Sequence, residues 1–406
     1  MKKINHCEVC GNKNLIKVLN LGDHPMCDDL VNINDSRECK EYPIEILFCE
    51  NCLTAHQHYQ VPKNELFPTN YHYRARFTSD VLNGMENLVE SCETQIGSLD
   101  EKTVLDIGCN DGSLLDFFKK KGSKTIGIEP TGAYADAEEK NHIVFNNYFS
   151  PEVSQEVVEK YGQPDLITFT NVFAHIENLK EVIDSLKILM SSSTILIIEN
   201  HYLGAVFEGN QFDTFYHEHP RTYSFKSFEF IAKSLGTKLL NTEFPSRYGG
   251  NIRVFIGNRD IASKSSFDVD KLNKIESRFK DKFMEMNDNI VMWRENKKLA
   301  IDELVIKHGK LPAKAFPGRS AILIKLLNLD ETVISAVYEK PGSMKIGKYV
   351  PGTRIPILSD DDLKDRKKPL INLAWHISDE IHNYLKGNNY EGPIIDILSK
   401  DDFIKK

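Results

Sequence analysis

No stretch of this 406-residue chain approaches the roughly 18 consecutive apolar residues of a membrane span, and the opening run Met1-Lys2-Lys3-Ile4-Asn5-His6-Cys7 has no apolar core of the kind a secretion signal carries. Positive charge is also scarce. With 51 lysines and arginines against 59 aspartates and glutamates, a net charge of -8, nothing offers the clustered cations that neutralise nucleic-acid phosphates. Runs such as Lys119-Lys120-Lys121 close a helix, where cations suit the dipole and need no ligand. Internal repeats and low-complexity tracts are missing too, which excludes a solenoid or a disordered tail. These absences predict a cytoplasmic, globular protein without nucleic acid or membrane among its partners, long enough for two or three cores.

Cysteine is present, but not as a disulfide framework. Of eight cysteines, four form Cys7-x-x-Cys10 and Cys49-x-x-Cys52, and Cys27, Cys39, Cys92 and Cys109 are scattered. Two such pairs in a reducing compartment predict four thiolates closing a tetrahedral, structural zinc site, which gives a small module folding energy its core cannot supply. A redox pair is the other chemistry of this spacing, but it belongs at a helix start after a strand. Lys40 to Cys49 alternates as a strand leading into the second pair. A zinc module over residues 1–75 is expected.

From Val104 to Gly112 an apolar strand, Val104-Leu105-Asp106-Ile107, runs into Gly108-Cys109-Asn110-Asp111-Gly112 and then a helix. Two glycines permit the tight strand-to-helix reversal that lets a nucleoside cofactor approach the backbone, and Glu129 ends the next strand where such folds place an acidic ribose ligand. The third glycine of a pyrophosphate-binding GxGxxG turn is absent. Short apolar runs at 103–107, 125–129, 165–170 and 194–199 alternate with helical patterns, predicting a doubly wound α/β core over 76–260 with its ligand at the carboxyl ends of the strands. Asn251 to Ile256 reads as an edge strand of that core. A charged helical connector then leads into a smaller α/β domain, the whole spanning 261–406.

Between Tyr216 and Tyr223 lie two histidines, a carboxylate and two tyrosines: Tyr216-His217-Glu218-His219-Pro220-Arg221-Thr222-Tyr223. Buried, each polar group needs a partner, and a solvent loop seldom collects so many aromatics beside titratable groups. Catalysis fits, because imidazole titrates near neutral pH and a phenol can donate to a developing oxyanion. A His-x-His metal pair and a satisfied structural network are the alternatives. Arg221 and Arg247 are candidate ligands for a pyrophosphate, and His217 for the substrate.

The glycine turn resembles the first motif of class I S-adenosylmethionine-dependent methyltransferases. Taken with the cysteine pairs, Asn171-Val172-Phe173-Ala174-His175 and Tyr216-His217-Glu218-His219, the chain is similar to the zinc-containing sugar C-methyltransferases that alkylate C3 of 4-keto nucleotide sugars. The resemblance implies a three-domain monomer or weak homo-oligomer, binding S-adenosylmethionine and a nucleotide sugar on the way to a deoxysugar or polysaccharide. It implies cofactor contacts from Asp106, Gly108, Asn110, Gly112, Glu129, Asn147 and Asn171. His219 would be the base; Tyr216, Glu218 and His175 would position the sugar and stabilise its enolate, and Tyr71 and Tyr73 would close over it. The chain departs from the family where an Ala-Lys-Gly turn is usual. Here the sequence is Ala315-Phe316-Pro317-Gly318-Arg319, leaving Gly318 and Arg319 to serve an anion. An O-methyltransferase and a zinc-ribbon scaffold with an inactive core are the other readings.

Overall fold

The computed structural model describes residues 1–67, 74–77, 79–259, 261 and 268–403. Tyr71 and Tyr73 lie outside them. The N-terminal module is an antiparallel sheet in which Ile16–Pro25 pairs with Glu41–Cys49 and that strand with Thr54–Gln57. A fourth strand comes from far along the chain: Arg221–Thr222 adds to Thr54–Gln57, Arg221 opposite His56. The segment carrying Tyr216 to His219 therefore ends as part of the zinc module's own sheet.

The core sheet has seven strands in the spatial order Lys238–Glu243, Asn251–Gly257, Ile195–His201, Leu166–Thr170, Thr103–Ile107, Lys124–Ile128, Ile143–Phe145. The last five of these run parallel and reverse order at Thr103–Ile107, the switch point where a doubly wound sheet opens a crevice. Asn251–Gly257 is antiparallel and sits between two strands, so it is an interior strand and not the expected edge. Its seven residues are all buried, as an interior position requires. Helix Ser113–Lys120 follows the glycine turn, and Leu114, Leu115 and Phe118 bury its inner face.

The charged connector is two helices, Val269–Glu276 and the 30-residue Phe279–His308, whose Phe283, Met286, Trp293 and Ile301 form a buried seam. Beyond it lies a five-stranded parallel sheet in the order Ile357–Ser359, Ile334–Glu339, Leu311–Lys314, Leu370–Asn372, Ile394–Asp396. Its switch point falls beside Leu311–Lys314, and the turn after that strand carries Arg319 toward the core. Among the described residues no helix is long and apolar enough to cross a membrane.

Candidate active site

Four thiols come together where the cysteine spacing places them. The sulfur atoms of Cys7, Cys10, Cys49 and Cys52 all lie within 4.8 Å of one another, Cys7 to Cys52 at 3.3 Å and Cys10 to Cys49 at 3.5 Å. Each pair is a knuckle: the Gly11 amide donates to the Cys7 carbonyl and the Leu53 amide to that of Cys49. Separations of this size suit a tetrahedron of zinc–sulfur bonds, and three of the four cysteines are buried, so the donor set fits a closed structural zinc ion.

At the cofactor turn, Gly108 and Gly112 both take left-handed backbone angles, φ 71° and 74°, which a side chain would strain. A Cβ on Gly108 would stand 2.7 Å from the Val172 side chain, so the turn is closed against the strand end that leads to His175. Around it stand carboxylates. Asp106 is buried, accepts from the Thr168 hydroxyl at 2.7 Å, and burial pushes its carboxyl up to about 7. Glu129 accepts from the Asn110 amide at 2.9 Å and from the Thr131 amide and hydroxyl, and burial raises it as well. The nearby cations are engaged: Arg74 meets Asp136 at 2.6 Å and Arg76 meets it at 3.1 Å. Two buried carboxyls beside the glycine turn suit the hydroxyl and ammonium donors of a nucleoside-bearing ligand, so S-adenosylmethionine fits this donor set.

Asn110 holds the Ala75 amide through its side chain at 3.0 Å, and Asp111 holds that of Arg76 at the same distance, tying the end of the zinc module over the turn. Asn147 is exposed just past Ile143–Phe145, beside Asn146, whose side chain donates to the Glu129 carbonyl at 2.9 Å. Asn171 caps its strand at φ 54° and accepts from the Asn251 amide group at 3.3 Å.

The histidine and tyrosine residues gather around His175, which follows the Val172 that packs on Gly108. Rings of Tyr216 and His175 lie 4.3 Å and 4.8 Å from that of His219. His219 Nδ1 is 2.9 Å from the Thr214 carbonyl, and His175 Nδ1 is 2.7 Å from the Glu218 carbonyl. A carbonyl only accepts, so each Nδ1 carries the proton and each Nε2 keeps a lone pair. Burial holds both rings neutral, His175 down at about 4 and His219 well below the ordinary histidine value. The same burial, with the Glu218 charge, pushes the Tyr216 phenol well up, keeping it a donor. The site thus holds two neutral imidazoles and one phenol, with His219 buried and His175 and Tyr216 half-buried.

Four expectations are corrected. Arg221 is 1% exposed and wholly engaged with Glu8, the Tyr223 hydroxyl and the Ile176 and Glu177 carbonyls, so it braces the loop and meets no pyrophosphate. Arg247 lies 3.2 Å from Glu199 and presses on helix Ser79–Ile96, where a Cβ on Gly84 would come within 1.9 Å of its guanidinium. His217 directs Nε2 to the Tyr42 carbonyl at 3.0 Å, a strut into the zinc module. Arg319 also fails as an anion ligand, because Asp213 already takes it at 2.6 Å and 2.8 Å.

Two residues escaped sequence reasoning. His201 ends a core strand with its ring 5.4 Å from that of His219, and His376 of the third domain is held down at about 3 by burial and the Arg319 charge. The position of His201 at the carboxyl end of a parallel strand was the available signal.

Comparison with known proteins gives three family models in succession: "Putative zinc binding domain" over residues 7–67, "Methyltransferase domain" over 79–242 and "C-methyltransferase C-terminal domain" over 246–394. The chain is similar to the C-methyltransferase NovU of Streptomyces niveus, 25% identical over 394 residues, covering 94% of this chain and 92% of that one. Among solved structures, the PH0226 protein of Pyrococcus horikoshii is 14% identical with a TM-score of 0.37, covering 48% of this chain and 98% of that one. The magnesium protoporphyrin IX methyltransferase of Synechocystis with bound S-adenosylmethionine is also 14% identical, with a TM-score of 0.31, covering 45% and 78%.

Proposed function

We propose that this chain, an S-adenosylmethionine-dependent C-methyltransferase with a zinc-binding module, a methyltransferase core and a C-methyltransferase C-terminal domain, methylates a carbon beside the keto group of a nucleotide-linked sugar. The observation that carries this reading is the pair of imidazoles with Nδ1 fixed on carbonyls, leaving unprotonated Nε2 atoms beside a phenol that stays protonated. S-adenosylmethionine, when bound, supplies an electrophilic methyl group on sulfonium. The residues must then make carbon nucleophilic.

A keto group acidifies the neighbouring C–H, and His219 Nε2 accepts that proton while electron density moves onto the carbonyl oxygen as an enolate. Tyr216 donates to that oxygen, in a buried site where such a donor is worth far more than in water. The depressed basicity of His219 keeps it ready at neutral pH, and the imidazolium that forms is balanced by the enolate charge. O-methylation needs only a hydroxyl to be deprotonated and gives no work to an enolate-stabilising donor. The test is exchange of the C3 proton with deuterated solvent in 4-keto nucleotide sugars. His219→Ala should slow it at least 100-fold; undiminished exchange removes His219 from the role.

A further inference from the structure

The loop that supplies the base is held from a second domain. His219 takes its orientation from the Thr214 carbonyl, and Thr214 sits in the short 3-10 turn Phe212–Thr214. That turn is gripped by two residues of the C-terminal domain. Arg319 forks onto Asp213, Nε to Oδ2 at 2.8 Å and Nη2 to Oδ1 at 2.6 Å, and the same Nη2 lies 2.6 Å from the Thr214 hydroxyl. Trp375 donates its indole N–H to Asp213 Oδ2 at 2.9 Å, and the guanidinium lies over its ring at 5.2 Å. Asp213 and Thr214 are fully buried and Arg319 is 9% exposed, so no water competes for these bonds.

We infer that Arg319 and Trp375 are positioning residues for the base: through Asp213 they hold the Thr214 carbonyl where it fixes the proton of His219 on Nδ1. The physics is that of tautomer choice. A neutral imidazole released from such a carbonyl prefers its proton on Nε2, and a ring in that form cannot accept a proton there. The C-terminal domain thereby sets what fraction of molecules hold a competent base. A planar, forked cation is suited to this, since it grips two oxygens of Asp213 and the neighbouring hydroxyl at once, which an ammonium cannot do. His175 serves as an internal control, because its Nδ1 rests on the Glu218 carbonyl, outside the gripped turn.

The inference rests on the proposed role of His219, yet it can be read without substrate. Histidine-selective 15N labelling of the full chain, with two-bond proton–nitrogen correlation, reports the tautomer of each ring. The expected result is that Arg319→Lys and Trp375→Phe both move His219 from the Nδ1-protonated form to a mixture and leave His175 unchanged. Exchange of the substrate C–H should then fall about tenfold in either variant with KM unmoved, a fraction of the full contribution of a general base. Trp375→Phe keeps an aromatic ring in place, so it guards against simple unfolding. An unchanged His219 tautomer in both variants overturns the inference, as does equal loss at His175 and His219. A shifted tautomer in an enzyme whose wild-type exchange survives His219→Ala would uphold the grip and sink the proposed base.

Discussion

The zinc module and the C-terminal domain both hold the loop that carries His219, by different means. On the zinc side the grip includes backbone pairing: Arg221–Thr222 is a strand of the module's sheet and the Gln57 amide donates to the Pro220 carbonyl, beside the Gln57 side chain on the Phe215 and Tyr216 carbonyls at 3.1 Å and 3.2 Å, the Arg221–Glu8 ion pair and the His217 strut. On the C-terminal side it is side chain and charge, Arg319 and Trp375 on Asp213. Backbone pairing fixes where the loop lies and tolerates many side chains. A buried ion pair fixes one turn's orientation and depends on two particular residues. The contrast points to a division of labour, with the zinc-binding module placing the loop and the far domain orienting the turn on which His219 leans.

The sharpest way to break this comparison is to remove the metal. Cys49→Ala or a strong chelator should cost the module on the order of 10 kcal/mol of folding energy and abolish activity. Metal analysis should give about one zinc per chain before treatment, while calorimetry should still detect S-adenosylmethionine binding by the core. Full activity in zinc-free protein would show that the cysteines do not hold the loop. Next in size is Arg319→Met, which leaves Asp213 buried without its cation and should lower stability by about 3–5 kcal/mol in denaturant melts. The double variant Arg319→Met with Asp213→Leu should recover most of that stability and none of the turnover. Recovery of turnover would reduce the ion pair to packing.

Taken per side chain, the smallest expected effect is on pH. His56 on the zinc side, His175 and His217 in and beside the loop are each held down at about 4 by burial, and His376 on the far side at about 3. Their folded values lie below the ordinary 6.5, so the unfolded chain binds more protons in between. The stability they contribute is complete above about 6.5 and falls as pH drops toward 4, by up to about 3 kcal/mol per ring. Thermal melts should be flat from pH 8 to 7 and fall by pH 5. A profile flat to pH 5 would mean these rings are not buried as neutral groups.

Much of the architecture was legible locally. Cysteine spacing announced the four-thiol cluster, and the glycine turn between an apolar strand and a helix announced the switch point, because both are set by residues a few positions apart. The arginines were misread for the opposite reason. Nothing near Arg221 in the sequence reveals Glu8, and nothing near Arg247 reveals Glu199 or the bare Cα of Gly84 that makes room for it. A buried cation looks like a free one until its partner is seen. Asn251 to Ile256 reads as an edge strand and proves interior, because periodicity reports how a strand is covered and not which strands flank it.

The sequence by itself determined the kinds of chemistry available: thiolates spaced for a metal, a glycine turn for a nucleoside, and a loop of imidazole and phenol. Only the tertiary structure decided which of those groups are free to act. The two histidines of one loop rest on different carbonyls through different ring nitrogens, His219 Nδ1 on Thr214 and His217 Nε2 on Tyr42. The second of those carbonyls lies 175 residues away, a contact that chain folding alone creates.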